Sequence, residues 1–566
     1  MGRNLFARSI VILVVGMFTA SEVTAESVYL SVQGDGGVMA LRDAVEEVAA
    51  LSGEPRSVSA GGITLHQTPL LTIENQGAYE ASSKRRLVIV AGLGGNRESA
   101  QLALDALRWF KTNASEQVRG EWDVSVMPLA NPDGNPVGEF PPDEGFFNDP
   151  ERPDTRHVWR WVAYQAPDLV VELHAGPELR IEGASKQGTL TAAIGDPANG
   201  NGLGPVFGMF VTAPAGDGAR LMREVLSRVP VGRSVLRNTI NRRVGREPLN
   251  IARLLAERYP GAPGMSYIPA VAWVHTLRLA RMVDDPALRA KVLREVRPWL
   301  HGEEPIAGER LSFAGIAGTM VFGELAKVPG EQRDGAAQLA AEGVALAAAE
   351  LAPGVPEHGS GWSDDVFLGT IAAATAGDPD GLASAVRLIT RYAGLLQQPS
   401  GLWYHSPDAP FAWGRGNGFA GRGLAEVLTV LSPRHDDFSA VLGIYQRHMA
   451  AMRLHQAPDG LWHQVVDVSG SYRETSVTAL TVTAMARGLR LGWLDVSYRP
   501  IVERAWQGIL SRVVDDGRLV DVCISTGAGP TLSHYLNRTA VNGSDDRGGA
   551  LVMGAALEMH ELTTGP

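Results

Sequence analysis

The 566-residue sequence has a single cysteine and no excess of positive charge. With Cys523 alone, the chain cannot form an internal disulfide, a cysteine-rich zinc site or a dithiol redox centre. Its net charge of −11 provides no basic stripe, so nucleic acid is not an expected partner. Hydrophobic residues make up 45% of the chain, and its length predicts about two or three domains with sizeable cores.

The apolar run near the N-terminus is too short to cross a bilayer. Arg3 and Arg8 precede SIVILVVGMF, and small residues lead to Ala25, which is the pattern of a cleaved export signal. We therefore expect a signal peptide over 1–25, with an uncleaved membrane anchor as the alternative. Export without disulfides favours a bacterial periplasm. The expected location is thus periplasmic or secreted, with no membrane association once the signal is removed.

The segment 26–240 alternates short β-rich runs with helical ones. Residues 85–93, WDVSVMPL and PDLVVELHAG have the composition of buried strands, and ESAQLALDALRWFKTNA has apolar residues at helical spacing. This alternation is typical of an α/β domain with a largely parallel or mixed sheet.

In the segment 241–566, helices with broad apolar faces replace the strands. Glycine-containing turns recur at Gly401, Gly460 and Gly517, spaced 59 and 57 residues apart, which is the length of a helical hairpin. About five or six hairpins fit this segment, and an open stack would need polar caps that the sequence does not offer. We therefore predict a multidomain chain in which an all-α (α/α)6 toroid follows the α/β domain.

The stretch WGRGNGFAGRG contains a GxGxxG pattern at Gly416, Gly418 and Gly421. That pattern indicates a dinucleotide site only when a buried strand precedes it and a helix follows. The upstream residues YHSPDAPFA contain two prolines, which are incompatible with a central strand. We therefore expect no nucleotide cofactor, and predict that these glycines let a loop turn tightly and approach a ligand.

If the glycine turns open at one rim of the toroid, the residues beside them should share a cleft. The polar and aromatic side chains along that rim are Trp362, Asp364, Asp365, Trp403, His405, Asp408, Trp413, Arg415, Asn417, Gln456, Trp462 and Glu474. Tryptophan faces stack on sugar rings, while carboxylates, amides and an arginine bind hydroxyls and acidic groups. The rim therefore predicts a carbohydrate site.

Each of these residues also has a purely structural interpretation. Asp364 and Asp365 are compatible with a helix cap and its neighbouring surface charge, and Asp408 with a turn. Trp403 and Trp462 are equally compatible with the hydrophobic core. Only their coincidence at one rim favours the functional interpretation.

The motifs GWSDDVFLG, GLWYHSPD, WGRGNGF, DGLWHQVVD and YRETSVTA together resemble, in order, those of the unsaturated glucuronyl and rhamnogalacturonyl hydrolases of glycoside hydrolase families 88 and 105. The resemblance implies an (α/α)6 barrel. It also implies removal of a terminal Δ4,5-unsaturated uronic acid from lyase-generated oligosaccharides by hydration of the C4=C5 bond. The expected partner is therefore an acidic oligosaccharide. A glycosidase acting on saturated uronides is the alternative within the same fold.

The resemblance also implies roles for individual residues. Asp408 matches the general acid that protonates C4 and then activates water for C5, and Asp364 matches a second essential carboxylate. The assignment of Asp365 is less definite. Arg415 is a candidate partner for the uronate carboxylate, with internal bracing of its loop as the alternative. The reaction requires neither a metal nor a nucleotide.

The N-terminal segments GLGGNRESA, PLANPDG and DLVVELHAG resemble those of zinc carboxypeptidases. Glu98 and His174 match two of that family's zinc ligands, but Gly95 stands where the first histidine belongs. Asp149, after Asn148, reverses the charge of the family's substrate-binding arginine. A catalytic zinc needs three protein ligands, so we expect a domain without a metal or peptidase activity.

Two alternatives remain open for this half of the chain. Glu172 could complete a metal site with Glu98 and His174, or the domain could be an active metallo-amidase or peptidase that carries the toroid as a carbohydrate-binding module.

Overall fold

The structure of the protein is a computed structural model that describes residues 36–134, 139–142, 153–183, 188–228, 232–306 and 311–565. The predicted signal peptide, 1–25, and the positions Asn148 and Asp149 lie outside the described residues. Within the described ranges, no helix has both the length and the apolar character needed to cross a membrane.

The described N-terminal half is built from a sheet and surrounding helices. Its strands are β1 (Ser57–Ile63), β2 (Pro69–Glu74), β3 (Arg85–Ala91), β4 (Trp122–Met127), β5 (Leu169–Ala175), β6 (Arg180–Gly183) and β7 (Phe207–Ala213). Its helices are α1 (Gly36–Ala50), α2 (Arg97–Thr112), α3 (Glu116–Glu121), α4 (Pro153–Tyr164), α5 (Leu190–Gly195), α6 (Gly218–Ser227) and α7 (Val235–Val244).

The C-terminal half is mostly helical. Its helices are α8 (Pro248–Arg258), α9 (Tyr267–Met282), α10 (Pro286–Leu300), α11 (Phe313–Ile316), α12 (Met320–Leu325), α13 (Arg333–Ala347), α14 (Asp365–Leu368), α15 (Ile371–Ala376), α16 (Pro379–Leu396), α17 (Gly414–Val430), α18 (Phe438–Leu454), α19 (Thr475–Arg490), α20 (Arg499–Arg512), α21 (Leu532–Leu536) and α22 (Asp546–Thr564). Short 3₁₀ turns occupy Ala317–Thr319 and Val496–Tyr498. The remaining strands form three two-stranded ribbons: β8 (Glu350–Ala352) with β9 (Val355–Pro356), β10 (Trp462–His463) with β11 (Arg473–Glu474), and β12 (Leu519–Cys523) with β13 (Ala540–Gly543).

The N-terminal sheet is a mixed sheet, as the alternating pattern predicts. Its seven strands run in the order β1-β2-β4-β3-β5-β7-β6. The central strands β4, β3, β5 and β7 are parallel, and the outer strands join them antiparallel. In β3, Leu87 and Ile89 pack with α2 and α6, whereas Val88 and Val90 pack with α4 and α7. Both faces of the sheet are therefore covered, which explains the continuous apolar run of this strand.

The C-terminal helices form a closed ring of inner helices inside a ring of outer helices. Five inner units, each packed on the next, are α9, α11–α12, α14–α15, α17 and α19, and α22 closes the ring by contacting both α19 and α9. The outer positions are taken by α8, α10, α13, α16, α18 and α20. The predicted toroid is thus present. The three ribbons are an addition to the expected all-α pattern.

The repeated glycine turns explain why this ring closes. Gly401, Gly460 and Gly517 have positive φ values of 93°, 92° and 83°, a backbone conformation that favours glycine. A Cβ at Gly401 would lie 2.4 Å from the carbonyl oxygen of Arg447 in α18, and one at Gly460 would lie 2.2 Å from that of Arg504 in α20. At Gly517 the nearest atoms belong to α8, the first outer helix. Each turn therefore seats on the next outer helix, and the last turn returns to the first.

The two halves of the chain meet through α7. The boundary predicted after residue 240 falls inside this helix, because Leu236 and Ile240 belong to the core beneath the N-terminal sheet. Arg243, near the end of the same helix, donates to the carbonyl oxygen of Ser511 at the end of α20. The structural boundary therefore lies after α7 rather than within it.

A buried polar network joins the N-terminal sheet to the toroid. Arg473 pairs with Glu74 at 2.7 Å and with Asp459 at 3.3 Å, and Arg512 pairs with Asp459 at 3.0 Å. Arg512 also donates to the hydroxyl of Tyr79 at 2.5 Å. All five side chains are buried. Buried charges are tolerated only when they are paired in this way, so the network fixes the two halves against each other.

Candidate active site

A cavity of about 690 Å³ opens where the inner helices of the toroid begin. Its lining residues are Tyr267, Leu311, Ser312, Phe313, Ala314, Glu357, His358, Gly359, Ser360, Trp362, Asp364, Asp365, Leu368, Trp413, Arg415, Ser525 and Thr526. Five of the predicted site residues are in this set: Trp362, Asp364, Asp365, Trp413 and Arg415. The residues predicted at the rim therefore include part of the cavity lining, but most of the lining residues were not predicted.

Inner helices present their N-termini to this cavity. Tyr267 opens α9, Phe313 opens α11, Asp365 opens α14, and Arg415 lies in the first turn of α17. The N-terminal end of a helix carries a partial positive charge, and its first backbone N–H groups have no partner within the helix. Helix N-termini and the carboxylates of Glu357, Asp364 and Asp365 therefore share the wall of this cavity.

Asp364 is a carboxylate of the cavity wall that has one oxygen without a hydrogen-bond partner. It caps the start of α14 without a capping hydrogen bond, and its side chain is only about one-tenth exposed. In the described structure its Oδ2 accepts no hydrogen bond. His405 Nε2 lies 3.5 Å from this oxygen. Asp364 is therefore a cavity-lining carboxylate whose buried Oδ2 faces His405.

His405 lies next to the cavity between two tryptophans. Its ring centroid is 4.5 Å from that of Trp413 and 5.1 Å from that of Trp362. The side chain is fully buried, and its Nδ1 is 2.8 Å from the hydroxyl of Tyr535. Packing and this hydrogen bond hold the imidazole beside Asp364.

Asp365 holds the loop that precedes it. Its Oδ2 accepts hydrogen bonds from Tyr392, Ser360 and Gly361, and its Oδ1 accepts one from Ser360. Burial raises the pKa of Asp365 to about 6, although these hydrogen bonds favour the ionised form. With both oxygens engaged, Asp365 shapes the wall of the cavity rather than offering a free proton acceptor.

The alternative reading of Arg415, internal bracing, is the one that fits the structure. This side chain is fully buried and donates to the carbonyl oxygens of Cys523 and Ile524, at 2.6 and 2.8 Å. Its guanidinium carbon also lies 5.1 Å from the ring centroid of Trp413. Arg415 therefore supports the segment that brings Ser525 and Thr526 to the cavity.

The glycines of the GxGxxG stretch lie in a helix, not in the predicted loop. Gly414–Val430 is helix α17, and its glycines are buried against neighbouring segments, for example Gly418 against Leu480 in α19 and Gly421 against Met449 in α18. A Cβ at Gly416 would lie 2.4 Å from Ser363 Oγ, and one at Gly423 would lie 2.2 Å from the carbonyl oxygen of Val366. These glycines let α17 approach α14 closely, which brings Trp413 beside Asp364.

Asp408 does not line the cavity, although the sequence predicts that it shares a cleft with the other rim residues. Its side chain is exposed in the turn between Ser406 and Ala409. The flanking residues explain the difference, because Ala409 and His405 take the buried positions of this turn. Asp408 therefore lies on the solvent side of the segment that carries His405.

Five other residues predicted to bind the substrate instead pack in the core or form hydrogen bonds within the protein. Trp403 and Trp462 are fully buried core residues, and the Nε1 of Trp462 donates to the Met452 carbonyl oxygen. Asn417 bonds the backbone of Trp403 through both its side-chain oxygen and its nitrogen.

Glu474 caps α19 by accepting from the backbone of Ser476 and Val477. Gln456 donates to the carbonyl oxygens of Gly460 and Ile501. Because Glu474 and Gln456 form these hydrogen bonds within the protein, neither side chain is in position to bind a substrate.

Several lining residues were not predicted from the sequence. They are Tyr267, Ser312, Phe313, His358, Ser360, Ser525 and Thr526, together with Tyr535 behind His405. Most of them are single hydroxyl or aromatic residues in segments without a motif. Only closure of the ring brings them to the cavity.

Glu98 and His174, the two candidate zinc ligands, have different surroundings and no hydrogen-bond partner in common among the described residues. Glu98 is exposed in the first turn of α2, whereas His174 Nε2 lies 3.1 Å from Oε1 of Glu172. The other oxygen of Glu172 accepts from the backbone N–H of Thr191. Gly95 has a φ of 75°, and a Cβ there would lie 2.9 Å from Gly134. The backbone therefore disfavours any side chain at the position of the first zinc ligand.

The C-terminal region has recognisable relatives among known proteins. Residues 356–563 match the family model described as Glycosyl Hydrolase Family 88. This match identifies the C-terminal region of the chain as a domain of that family.

Two curated relatives resemble part of the chain. One is an unsaturated rhamnogalacturonyl hydrolase of Bacillus subtilis, which is 27% identical over 177 residues, covering 29% of this chain and 50% of the relative. The other is an unsaturated 3S-rhamnoglycuronyl hydrolase of an Alteromonas species, 27% identical over 175 residues, covering 28% of this chain and 42% of the relative. The chain therefore spans about half the length of the curated relatives it matches.

Two solved structures share the fold of the C-terminal half. One is a possible member of glycoside hydrolase family 105 from Salmonella enterica, with a TM-score of 0.50 and 16% identity, covering 55% of this chain and 93% of that one. The other is a family 105 glycoside hydrolase of C. acetobutylicum, with a TM-score of 0.50 and 17% identity, covering 56% and 100%. At these identities the likeness concerns the toroid fold.

Proposed function

We propose that the protein is a glycoside hydrolase that removes terminal Δ4,5-unsaturated uronic acids from oligosaccharides left by a polysaccharide lyase. The observation that carries this proposal is the Asp364 carboxylate, which lines a cavity together with Trp362 and Trp413 and has one oxygen, Oδ2, without a hydrogen-bond partner. The family match and the names of the two curated relatives support the same chemistry. The predicted leader supports export as the setting, in the periplasm or outside the cell.

The proposed reaction hydrates the double bond of an enol ether. A proton adds to C4, and the oxygen of a water molecule bonds to C5 while a base takes one proton of that water. The product is a hemiketal at C5. Its bond between C5 and the ring oxygen breaks to give a C5 ketone and a hemiacetal at C1, and the hemiacetal then releases the next saccharide as a free hydroxyl compound. The chemistry needs one group that gives a proton and one that takes a proton.

Asp364 is proposed to orient the unsaturated ring and exchange a proton within the cavity. Asp408 is proposed as the second carboxyl, on the strength of its match to the family motif. Because Asp408 is exposed without substrate, this role requires a bound saccharide to cover its side chain. Covering a carboxyl with an apolar sugar face raises its pKa, which is the change that a general acid needs.

An acidic substrate fits the electrostatics of the cavity. Arg415 is engaged with backbone carbonyl groups, so the uronate carboxylate is proposed to bind at the helix N-termini and to hydroxyl groups. Ser525 and Thr526 lie on the segment that Arg415 supports, and Tyr267 lies at the start of α9. These groups can donate hydrogen bonds to the uronate carboxylate without adding a positive charge beside Asp364.

The decisive experiment is a direct assay of the purified full-length protein. Lyase-digested polysaccharides are incubated with the enzyme, and loss of the ultraviolet absorbance of the C4=C5 bond is followed together with release of the shortened sugar. We expect both signals with unsaturated oligosaccharides, and the same rate in the presence of a chelator. Sugar release from saturated uronides with no absorbance change would establish the alternative glycosidase, and inactivity on every uronide would refute the proposal.

The role of Asp408 is tested by Asp408→Asn beside Asp436→Asn, a change at another exposed aspartate outside the cavity. Asp408→Asn should lower kcat by roughly 10²-fold or more, the usual contribution of a general acid, while KM changes little. Asp436→Asn should behave as wild type. Equal activity of the two variants would remove Asp408 from the mechanism and leave Asp364 as the carboxylate that the cavity supports.

A further inference from the structure

Tyr535 lies behind His405, on the side of the imidazole away from Asp364. Its hydroxyl is 2.8 Å from His405 Nδ1, and the opposite ring nitrogen, Nε2, is 3.5 Å from Asp364 Oδ2. Tyr535 and His405 are fully buried, and the side chain of Asp364 is about one-tenth exposed. The three residues form a continuous row from the protein interior to the cavity, which we call the Tyr535 row.

The hydrogen bonds at Tyr535 determine where its single hydroxyl proton points. The backbone N–H of Gly529 donates to the Tyr535 oxygen at 3.1 Å, so that oxygen already serves as an acceptor. The remaining partner is His405 Nδ1, which must therefore accept the hydroxyl proton. Burial raises the pKa of Tyr535, so this proton is retained at neutral pH.

This arrangement selects one tautomer of the neutral imidazole. If Nδ1 accepts from Tyr535, the ring proton resides on Nε2, the atom that faces Asp364. In the described structure neither Nε2 of His405 nor Oδ2 of Asp364 has another hydrogen-bond partner. We propose that Tyr535 is a positioning residue that fixes the Nε2–H tautomer of His405, so that His405 donates toward Asp364 Oδ2 and orients the carboxylate at the cavity wall.

Four other side chains lie around the row. Trp413 and Trp362 pack on the imidazole, so it has little freedom to turn. The His534 ring contacts that of Tyr535 at 5.1 Å, and Arg415 lies on the Trp413 ring. Asp364 is therefore the only carboxylate of the described residues that pairs with His405.

The N-terminal half of the chain supports this row. Tyr535 lies on α21, and in that helix Ser533 Oγ accepts a hydrogen bond from Gln67 Nε2 at 2.7 Å. Ile63, at the end of β1, belongs to the same apolar cluster as Tyr535 and Trp413. The turn between β1 and β2 therefore holds the helix that presents the tyrosine hydroxyl. This gives the N-terminal half a role in positioning the site without any metal chemistry of its own.

The kinetic consequence of the proposal rests on the proposed function. Tyr535→Phe keeps the ring and its packing but removes the hydroxyl, so the Nδ1–H tautomer becomes accessible and Nε2 no longer needs to donate. We expect kcat to fall about tenfold to hundredfold, the range for removing the outer partner of a functional histidine, with KM within about threefold of wild type. The control is Tyr445→Phe, which removes a buried hydroxyl that donates to the Ala484 carbonyl oxygen away from the cavity.

The structural consequence is measured without substrate. Magic-angle-spinning ¹⁵N NMR of protein labelled at histidine distinguishes the two tautomers, and the His405 signals are assigned by their loss in His405→Gln. We expect Nε2–H in wild type and in Tyr445→Phe, and a mixture of tautomers in Tyr535→Phe. Both tyrosine variants should lose a similar, small amount of thermal stability.

The two measurements separate the possible failures. Wild-type protein that shows Nε2–H but consumes no unsaturated oligosaccharide would refute the proposed function and leave the positioning of His405 intact. An Nδ1–H tautomer in wild type, or an unchanged tautomer in Tyr535→Phe, would overturn the inference about Tyr535. So would a wild-type kcat in Tyr535→Phe, or an equal loss of kcat in Tyr445→Phe.

Discussion

Both ends of the toroid have polar cavities, but the carboxylates at one end pair with arginines and Asp364 at the other end does not. The cavity at the C-terminal ends of the inner helices has a volume of about 470 Å³ and contains Glu426 and Glu558. Glu426 pairs with Arg422 at 2.6 Å and with Arg487 at 2.8 Å, and Glu558 pairs with Arg487 and Arg490. At the N-terminal end, Asp364 pairs with no lysine or arginine of the described residues, and His405 Nε2 lies 3.5 Å from its Oδ2.

The pKa values follow this difference. Burial alone would raise the pKa of Glu426, but Arg487, Arg422 and Arg278 outweigh it and hold the pKa well below its usual value. At the other end, burial dominates and raises the pKa of Asp365 to about 6. Carboxylates that close the toroid are thus kept ionised by arginines, whereas those at the site are left without a cation. The two ends therefore differ in whether a buried carboxylate has an arginine partner, and not in burial itself.

The largest effect should come from removing the free carboxylate. Asp364→Asn preserves the shape of the side chain but cannot exchange a proton, so kcat should fall by about 10³-fold with little change in thermal stability. The measurement is the initial rate of double-bond loss, with thermal unfolding of the same sample as the control. A variant with more than about one-tenth of wild-type kcat would contradict the assignment.

A change at the opposite end should affect stability instead. Glu426→Gln leaves Arg487 and Arg422 short of a buried partner, which should cost about 3–5 kcal/mol of unfolding free energy. The kcat per folded molecule should stay within about twofold of wild type. Urea unfolding and activity at low temperature check the two expectations, and a selective loss of kcat would break the contrast between the ends.

The pH dependence of stability tests Asp365. A carboxyl whose pKa is raised from 3.8 to about 6 by folding binds more protons in the folded state between those values. Its contribution to stability is therefore present at about pH 4 and is lost as the pH rises through about 6, by on the order of 1–3 kcal/mol.

Asp365→Asn removes this titration. The stability of wild type relative to Asp365→Asn, measured by urea unfolding, should therefore be greater near pH 4 than at neutral pH. The difference between the two proteins cancels the titration of the arginine-paired carboxylates. A pH-independent difference would show that Asp365 is ionised throughout this range.

The smallest effect concerns sugar stacking. Trp362 is partly exposed and lines the cavity, so Trp362→Ala should raise KM about threefold to tenfold, equivalent to an aromatic contact of about 1 kcal/mol. Trp403→Phe trims a fully buried ring and should leave KM unchanged. Steady-state kinetics on one unsaturated disaccharide compare the two variants. A greater KM change in Trp403→Phe than in Trp362→Ala would contradict the assignment of Trp362 to sugar stacking and of Trp403 to the core.

Much of the fold can be predicted from local sequence signals. The strand β3 and the helix α2 follow from apolar periodicity, and the toroid follows from the spacing of Gly401, Gly460 and Gly517, since each glycine turn seats on the next outer helix. The domain boundary was misplaced because α7 packs on both halves, which no local pattern reveals. The resemblance of the N-terminal half to zinc carboxypeptidases stays a prediction.

The site is less predictable than the fold because neighbouring motif positions have opposite environments. In GLWYHSPD, Trp403 enters the core, His405 reaches the site and Asp408 faces solvent, although the three residues lie within one short segment. Sequence spacing locates such a segment but does not assign each side chain to a face. Tyr535 is separated from His405 by 130 residues and comes from a region without a motif, so only the folded ring reveals their contact.

The buried network between the halves has a consequence for how such a chain can be divided. Arg473, which pairs with Glu74, immediately precedes Glu474, the residue that caps α19. In a toroid produced without the N-terminal half, the guanidinium groups of Arg473 and Arg512 would be exposed to solvent. Their remaining partner would be Asp459, which is buried in the full chain. A free-standing enzyme of this kind would therefore need different residues at these positions. Here the N-terminal half supplies Glu74 and Tyr79, the partners of Arg473 and Arg512, and so completes the buried surface of the toroid.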